Sequence, residues 1–156
     1  MLTFDQEEKR FTYRAVAVFI SHDHVLLHQA PGDGFWALPG GRVEHGESAE
    51  NAVQREMVEE LDVELIDLKP TWVVDNFFEF DGKQCHELGI YFLVMASPDS
   101  YIYQQSEFPG LELDKKLNFK WFPLKSNDDF PLYPSFLKTA LSELPAPLQY
   151  IIHRDK

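Results

Sequence analysis

The chain has 156 residues, a net charge of −12 at pH 7 and an aromatic content of 14%. This length and composition predict one globular domain, residues 1–156, with a sizeable core. The negative charge disfavours stable binding to DNA or RNA, although a bound divalent cation would still allow a small phosphorylated ligand. No apolar run is long enough to span a membrane, the first ten residues are too polar for a secretion signal, and the single cysteine cannot form an internal disulfide. We therefore expect a cytoplasmic protein with no membrane partner.

The hydrophobic pattern predicts a mixed α/β protein in the following order. Stretches rich in β-branched and aromatic residues predict strands at 11–20, 25–29, 35–38, 42–44, 65–80, 85–95 and 117–122. Leu-Pro-Gly-Gly at 38–41 predicts a turn, Asp81-Gly82 predicts a hairpin, and the prolines and glycine within 97–116 predict a long loop. Two helices are expected, at 47–61, where apolar residues recur every four positions, and at 134–144, which begins at a proline.

The first predicted helix carries a concentration of carboxylates. Each residue advances about 100° around a helix, so Glu59 and Glu60 fall on either side of Glu56, and all three project from one face. Adjacent carboxylates repel one another unless a cation lies between them, and Mg²⁺ prefers oxygen ligands. A solvated surface helix is the alternative reading of such a run. The preceding glycine turn, together with Glu47 and Arg55 at fixed offsets, favours a metal site.

The spacing of these residues resembles the signature of the Nudix hydrolases, G-x5-E-x7-R-E-U-x-E-E-x-G-U, in which U is aliphatic. The match runs from Gly41 to Val63 and includes Glu47, Arg55, Glu56, Met57, Glu59 and Glu60. The chain departs from the signature at Asp62, where the family has glycine. A left-handed residue is common just past a helix, and aspartate tolerates that conformation, so we expect Asp62 to have a structural role only.

The resemblance implies the Nudix fold, an α/β/α sandwich with a mixed β-sheet. It also implies a Mg²⁺-dependent enzyme, with Mn²⁺ as a substitute, that cleaves a diphosphate linkage by attack of water at phosphorus. In the family, the glutamates that match Glu56, Glu59 and Glu60 bind the metal, often with the backbone carbonyl of the residue before the box glycine, here Gly40. The residue that matches Arg55 is expected to orient a glutamate.

Two further assignments concern residues outside the set of metal ligands. Glu47 is predicted to pair with Arg55 and to have a structural role, with contact to the metal as the less favoured alternative. Three box carboxylates assigned to metal leave the attacking water without an obvious base, and in several family members an acidic residue on a loop ahead of the last strand acts as base or adds a ligand. Glu107, Glu112 and Asp114 lie on that predicted loop. Glu112 is the preferred candidate, which makes the predicted catalytic set Arg55, Glu56 and Glu112.

The substrate is expected to be a small nucleotide-like molecule. Nucleoside triphosphates, including oxidised ones, are slightly favoured, while nucleotide sugars, ADP-ribose and dinucleoside polyphosphates remain open because loops outside the box read these groups. No nucleic-acid partner is expected, and a homodimer remains open. The alternatives are a non-catalytic Nudix module that senses a nucleotide or sugar, and a protein-interaction role.

Overall fold

The computed structural model describes residues 1–125 and 129–155. The strands are β1 (Thr3–Gln6), β2 (Lys9–Ser21), β3 (His24–Gln29), β4 (Gly40–Arg42), β5 (Leu65–Phe80), β6 (Lys83–Ala96), β7 (Glu107–Pro109), β8 (Asn118–Pro123) and β9 (Gln149–Arg154). The helices are α1 (Ala49–Leu61) and the short α2 (Leu137–Ala140), with 3₁₀ turns at Tyr101–Tyr103 and Leu141–Glu143. No helix within these two ranges is long and apolar enough to cross a membrane.

The described strands form one mixed sheet in which β2 is central. The order is β7-β8-β3-β2-β6-β5-β9, and β1 and β4 pair with β2 beside this path. The β2–β6 and β5–β9 pairs are parallel, and the remaining pairs are antiparallel. The hairpin predicted at Asp81-Gly82 joins β5 to β6. With 13 residues, β2 is long enough to pair with β1, β3, β4 and β6, and it therefore aligns both halves of the sheet.

Side chains that alternate along β2 form a core on each face of the sheet. Ala15, Ala17 and Phe19 are fully buried on the face covered by α1. Val16 and Val18 are buried on the opposite face, among residues of β5, β6 and α2. This period of two is the expected pattern for a strand that is covered on both sides. The predicted α/β/α sandwich with a mixed sheet is confirmed.

Helix α1 is bounded by one side-chain cap and one left-handed residue. The Ser48 hydroxyl accepts a hydrogen bond from the Asn51 amide at 3.0 Å, so the helix begins at Ala49, two residues later than predicted. The helix ends at Leu61, and Asp62 has φ 53° and ψ 45°. The Asp62 amide donates to the Val58 carbonyl at 2.9 Å. Asp62 therefore occupies the left-handed position predicted for it.

The predicted glycine turn is wrong, because Gly40 and Gly41 lie within strand β4. A Cβ at Gly40 would lie 2.3 Å from the Ala15 carbonyl oxygen, so glycine is needed for close approach to β2 rather than for a turn. The strand predicted at 42–44 accordingly begins and ends two residues earlier. The strand predicted at 35–38 is also wrong, since Trp36 and Ala37 form isolated bridges.

The C-terminal part differs most from the prediction. The expected loop at 97–116 contains a 3₁₀ turn and β7. Strand β9 was not predicted, and neither was β1 at the other end of the chain. The helix expected at 134–144 is confined to α2 and the following 3₁₀ turn. Just before α2, the Ser135 hydroxyl donates to Asp155 at 2.5 Å. The amides of Leu137 and Lys138 bond to carbonyls three residues back, a tighter geometry than an α-helix.

We predict that Asp62→Gly raises the free energy of unfolding by about 0.5–1 kcal/mol, because it relieves left-handed strain and removes a negative charge at the negative end of α1. Urea denaturation measures this change, and enzyme turnover should stay the same. Asp81, with φ 53° in the β5–β6 hairpin, provides the control. Asp81→Gly relieves the same strain without the helix-end charge, so a large activity loss confined to Asp62→Gly would mean that Asp62 is functional.

Candidate active site

Arg55 joins the carboxylates of the box to one another. Its guanidinium bonds both oxygens of Glu47, with Nε to Oε2 at 2.8 Å and Nη2 to Oε1 at 2.9 Å. Nη1 donates to Glu56 Oε1 at 2.9 Å and lies 3.3 Å from Glu59 Oε2. Nη2 also donates to the Arg42 carbonyl at 3.2 Å. The predicted Glu47–Arg55 pair is thus present, and its hydrogen bonds are the main reason that the pKa of Glu47 is lowered and that of Arg55 is raised.

The Glu56 carboxylate is buried directly over Gly41. A Cβ at Gly41 would lie 2.1 Å from Glu56 Cδ and 2.3 Å from Oε1, so only glycine leaves room for this side chain. Glu56 is 6% exposed, and its Oε2 atom has no hydrogen-bond partner among the described residues. A buried carboxylate oxygen without a donor is costly, which indicates that a cation completes this position.

The register of β4 against β2 directs the Gly40 carbonyl toward the same region. The Ala17 amide bonds the Pro39 carbonyl at 2.8 Å, and the Val43 amide bonds the Tyr13 carbonyl at 2.9 Å. In an antiparallel ladder hydrogen-bonded and non-hydrogen-bonded pairs alternate, so the polar groups of Gly40 and Arg42 point away from β2. The Arg42 carbonyl does so, because it accepts from Arg55. The Gly40 carbonyl therefore lies on the strand edge that faces Arg55.

Three carboxylates form a compact group at this edge. Glu56, Glu59 and Glu112 each offer an oxygen, and these oxygens lie within 4.8 Å of one another. The other two candidates for the loop carboxylate are placed differently. Glu107 belongs to β7 and accepts a hydrogen bond from the Asn118 side chain at 2.7 Å, and Asp114 is exposed and is not a member of the group.

The loop that carries Glu112 folds back onto α1. The Leu111 amide donates to the carbonyl of Glu60 at 2.8 Å, and the Gly110 amide donates to the Leu117 carbonyl at 2.8 Å. The Lys115 amide lies 3.2 Å from the Glu112 carbonyl and closes a turn. The bend expected at Pro109-Gly110 is wrong, because Pro109 ends β7 and Gly110 continues the pairing with the β8 side. A turn at 113–115 instead follows Glu112, which lies near the box glutamates.

Glu60 lies outside the group of three carboxylates and faces a lysine. Its side chain is 2% exposed, and Oε1 is 3.7 Å from Lys115 Nζ. The same ammonium is 3.2 Å from Glu112 Oε1. Burial is the largest cause, and the neighbouring charge of Glu56 the next, of a strong increase in the pKa of Glu60. The sequence analysis did not single out Lys115, whose local signal is its position three residues after Glu112.

The donor set fits a hard divalent cation. All the side-chain ligands are carboxylate oxygens, which Mg²⁺ and Mn²⁺ accept. The carboxylates of Glu47, Glu56, Glu59, Glu60 and Glu112 outnumber the two cations that contact them, Arg55 and Lys115. Burial makes this excess unfavourable unless a cation is added. A separate cavity of about 650 Å³ at the start of β2, lined by residues such as Phe11, Phe77 and Arg154, includes none of these groups.

Comparison with known proteins identifies the family. The model of the NUDIX domain matches residues 11–140. The chain belongs to the Nudix hydrolase family. The prediction that it is a Nudix pyrophosphohydrolase, an enzyme acting on diphosphate bonds, is confirmed at the level of this family.

Three similar proteins illustrate the relationship. The uncharacterized Nudix hydrolase YvcI of Bacillus subtilis is 30% identical over 117 residues, which cover 75% of this chain and 69% of that protein. An RNA pyrophosphohydrolase of Campylobacter jejuni subsp. doylei is 26% identical, covering 69% of this chain and 77% of its own length. The crystal structure of a MutT NUDIX hydrolase from Burkholderia pseudomallei has a TM-score of 0.57 at 26% identity, covering 86% of this chain and 98% of that one.

The close approach at Gly41 generates a prediction about metal binding. Gly41→Ala should leave the Nudix fold intact but displace the Glu56 carboxylate, because the added methyl group would overlap it. We expect Mn²⁺ affinity, measured by electron paramagnetic resonance of the free ion, to fall at least about tenfold, roughly the loss of one charge-assisted contact. Gly34→Ala is the control, since a Cβ there meets nothing within 4 Å. Unchanged affinity in Gly41→Ala would contradict this description of the site.

The raised pKa of Glu60 generates a prediction about pH. Because the folded protein favours the neutral form, stability contributed by Glu60 is full below the ordinary glutamate pKa of about 4.3 and is lost as the pH rises above it. In the absence of metal, Glu60→Gln should match the wild type at pH 4.5 and be more stable at pH 8. Urea denaturation at the two pH values measures the difference. A gap that is the same at both pH values would show that the Glu60 pKa is not raised.

Proposed function

We propose that this protein is a Mg²⁺-dependent hydrolase, also active with Mn²⁺, that cleaves the diphosphate linkage of a nucleoside diphosphate derivative by attack of water at phosphorus. The observation that supports it best is the group of Glu56, Glu59 and Glu112 oxygens within 4.8 Å of one another. Family membership gives the reaction class, and the group supplies the type of ligand that this chemistry needs.

Glu56, Glu59 and Glu60, together with the Gly40 carbonyl, would hold the metal. The bound ion would supply charge neutralisation at the phosphates, orientation of the attacking water and stabilisation of the leaving phosphate. Glu56 is fixed by its burial over Gly41, whereas Glu59 is 47% exposed and can adjust. Glu60 would have to turn from Lys115 toward the other carboxylates, since it lies outside their group.

Arg55 and Glu112 would complete the catalytic set. The guanidinium of Arg55 donates hydrogen bonds to Glu47, Glu56 and Glu59, so its role is to fix the ligands before metal binds. Glu112 would accept the proton of the attacking water. It reaches the site on a loop anchored to the Glu60 carbonyl.

The favoured substrates are nucleoside triphosphates or their oxidised forms. The Campylobacter relative is named for RNA, which makes a triphosphorylated RNA end the main competitor. The net charge of −12 supports the smaller substrate, because a long phosphate backbone would be repelled outside the metal site.

The remaining parts of the proposal concern the whole chain. Residues 1–156 would act as one domain in the cytoplasm, without a nucleic-acid or membrane partner. One mixed sheet joins all the described strands, which supports a single domain. The single cysteine, Cys85, supports a reducing compartment.

A substrate panel tests the proposal. Purified protein is incubated with nucleoside triphosphates, 8-oxo-dGTP, ADP-ribose, a nucleotide sugar, a dinucleoside polyphosphate and a triphosphorylated RNA, with Mg²⁺ or with chelator. We expect phosphate or pyrophosphate release that depends on metal, is fastest with a nucleoside triphosphate and is lost in Glu56→Gln. Binding of a nucleotide without turnover of any compound would instead favour a sensor.

We predict that Glu112→Gln lowers kcat by roughly 10²–10⁴-fold, the usual contribution of a general base. Mn²⁺ affinity should change little if Glu112 acts as base, and it should fall if Glu112 is instead a ligand. Asp114→Asn, two residues away on the same loop and exposed, is the matched control and should stay near wild-type activity. A kcat loss below tenfold for Glu112→Gln with a large loss for Asp114→Asn would move the role to Asp114.

A further inference from the structure

Lys115 is the cation that faces the carboxylates from the loop side of the site. Its Nζ atom lies 3.2 Å from Glu112 Oε1 and 3.7 Å from Glu60 Oε1. Arg55 contacts Glu56 and Glu59, and it has no described contact with Glu60 or Glu112. Arg55 and Lys115 therefore contact different carboxylates of the site.

The loop holds Lys115 in this position through its backbone. The Leu111 amide binds the Glu60 carbonyl, and the Lys115 amide closes a turn onto the Glu112 carbonyl. Glu112 and Lys115 consequently approach α1 together. The lysine side chain is still 43% exposed, so water offers it an alternative position at small cost.

Glu60 cannot use that alternative. It is 2% exposed, and its Oε2 atom has no hydrogen-bond partner among the described residues. A buried carboxylate of this kind needs a positive charge nearby, whether from a lysine or from a metal. A divalent ion close to Glu60 would repel the Lys115 ammonium and would replace it as the positive charge beside Glu60.

We propose that Lys115 is the resident counter-ion of the metal site: its ammonium holds Glu60 and Glu112 while no metal is bound, and metal binding releases it into solvent. This inference rests on the proposed metal site. Lys115 therefore competes with the metal and lowers its affinity, while it stabilises the metal-free protein. A lysine that only fixes the loop would have the opposite effect on affinity.

The first experiment measures direct Mn²⁺ binding to the full chain by electron paramagnetic resonance. Lys115→Gln should bind Mn²⁺ about tenfold more tightly than the wild type, the size expected for removing one nearby positive charge in a largely hydrated site. Lys116→Gln removes the same charge from the next residue and should stay within about twofold, because Lys116 makes no described ion pair with these glutamates. Lys115→Arg should resemble the wild type.

A second measurement uses the unmodified protein. Acetylation by an N-hydroxysuccinimide ester, read by mass spectrometry, should modify Lys115 slowly without metal and faster with saturating Mg²⁺, whereas labelling of Lys116 should not change. This result remains available if Lys115→Gln fails to fold.

Each outcome has a defined meaning. Unchanged or weaker Mn²⁺ binding by Lys115→Gln, or labelling of Lys115 that ignores Mg²⁺, overturns the counter-ion role and leaves the proposed function standing. A wild-type protein that binds no Mn²⁺ and hydrolyses nothing overturns both.

Discussion

The bonds of one guanidinium group determine the geometry of the site. Arg55 uses its fork to bind Glu47 on both oxygens, and its remaining donors reach Glu56, Glu59 and the Arg42 carbonyl. These contacts join the segment before α1, the helix itself and strand β4. Because a planar guanidinium allows few arrangements of its donors, a rotation of α1 would break the bond to the Arg42 carbonyl of β4 and the two bonds to Glu47 in the preceding segment.

Strand β2 extends this constraint to the rest of the sheet. Gly41, which lies directly beneath the Glu56 carboxylate, is positioned by its pairing with Ala15. Glu112 follows β7, which pairs with β8, which pairs with β3, which pairs with β2. The positions of Gly41 and Glu112 therefore both depend on the pairing of strand β2. A shift of one residue on either side would turn alternate side chains to the wrong face and separate the carboxylates.

The parts of this molecule that follow local rules were predictable. The four-residue repeat and carboxylate spacing of α1, the hairpin at Asp81-Gly82 and the left-handed Asp62 all depend on neighbours in sequence. Glu112 lies beside Glu56 and Glu59 as expected, although the turn is at 113–115 and not at the predicted Pro109-Gly110 bend. Its chemical role still rests on the proposal. The Glu47–Arg55 pair followed from a separation of eight residues, even though Glu47 lies before the helix begins.

The errors arose where distant residues decide the conformation. Gly40 and Gly41 look like a turn in sequence, but the Ala15 carbonyl and the Glu56 side chain demand their small size inside a strand. The second helix is shorter than predicted, and Ser135 before its start bonds Asp155, 20 residues away. Lys115 was not predicted, because its ion pair is with Glu60, which belongs to a different element. None of these contacts can be read from a window of a few residues.

The hydrogen bond from the Leu111 amide to the Glu60 carbonyl has a dynamic consequence. It joins the loop after β7 to helix α1, so this bond must break whenever the loop moves away from the helix. Such local opening occurs at a lower free energy than global unfolding. The rate at which the Leu111 amide exchanges its hydrogen with solvent would then report how often the assembled site comes apart.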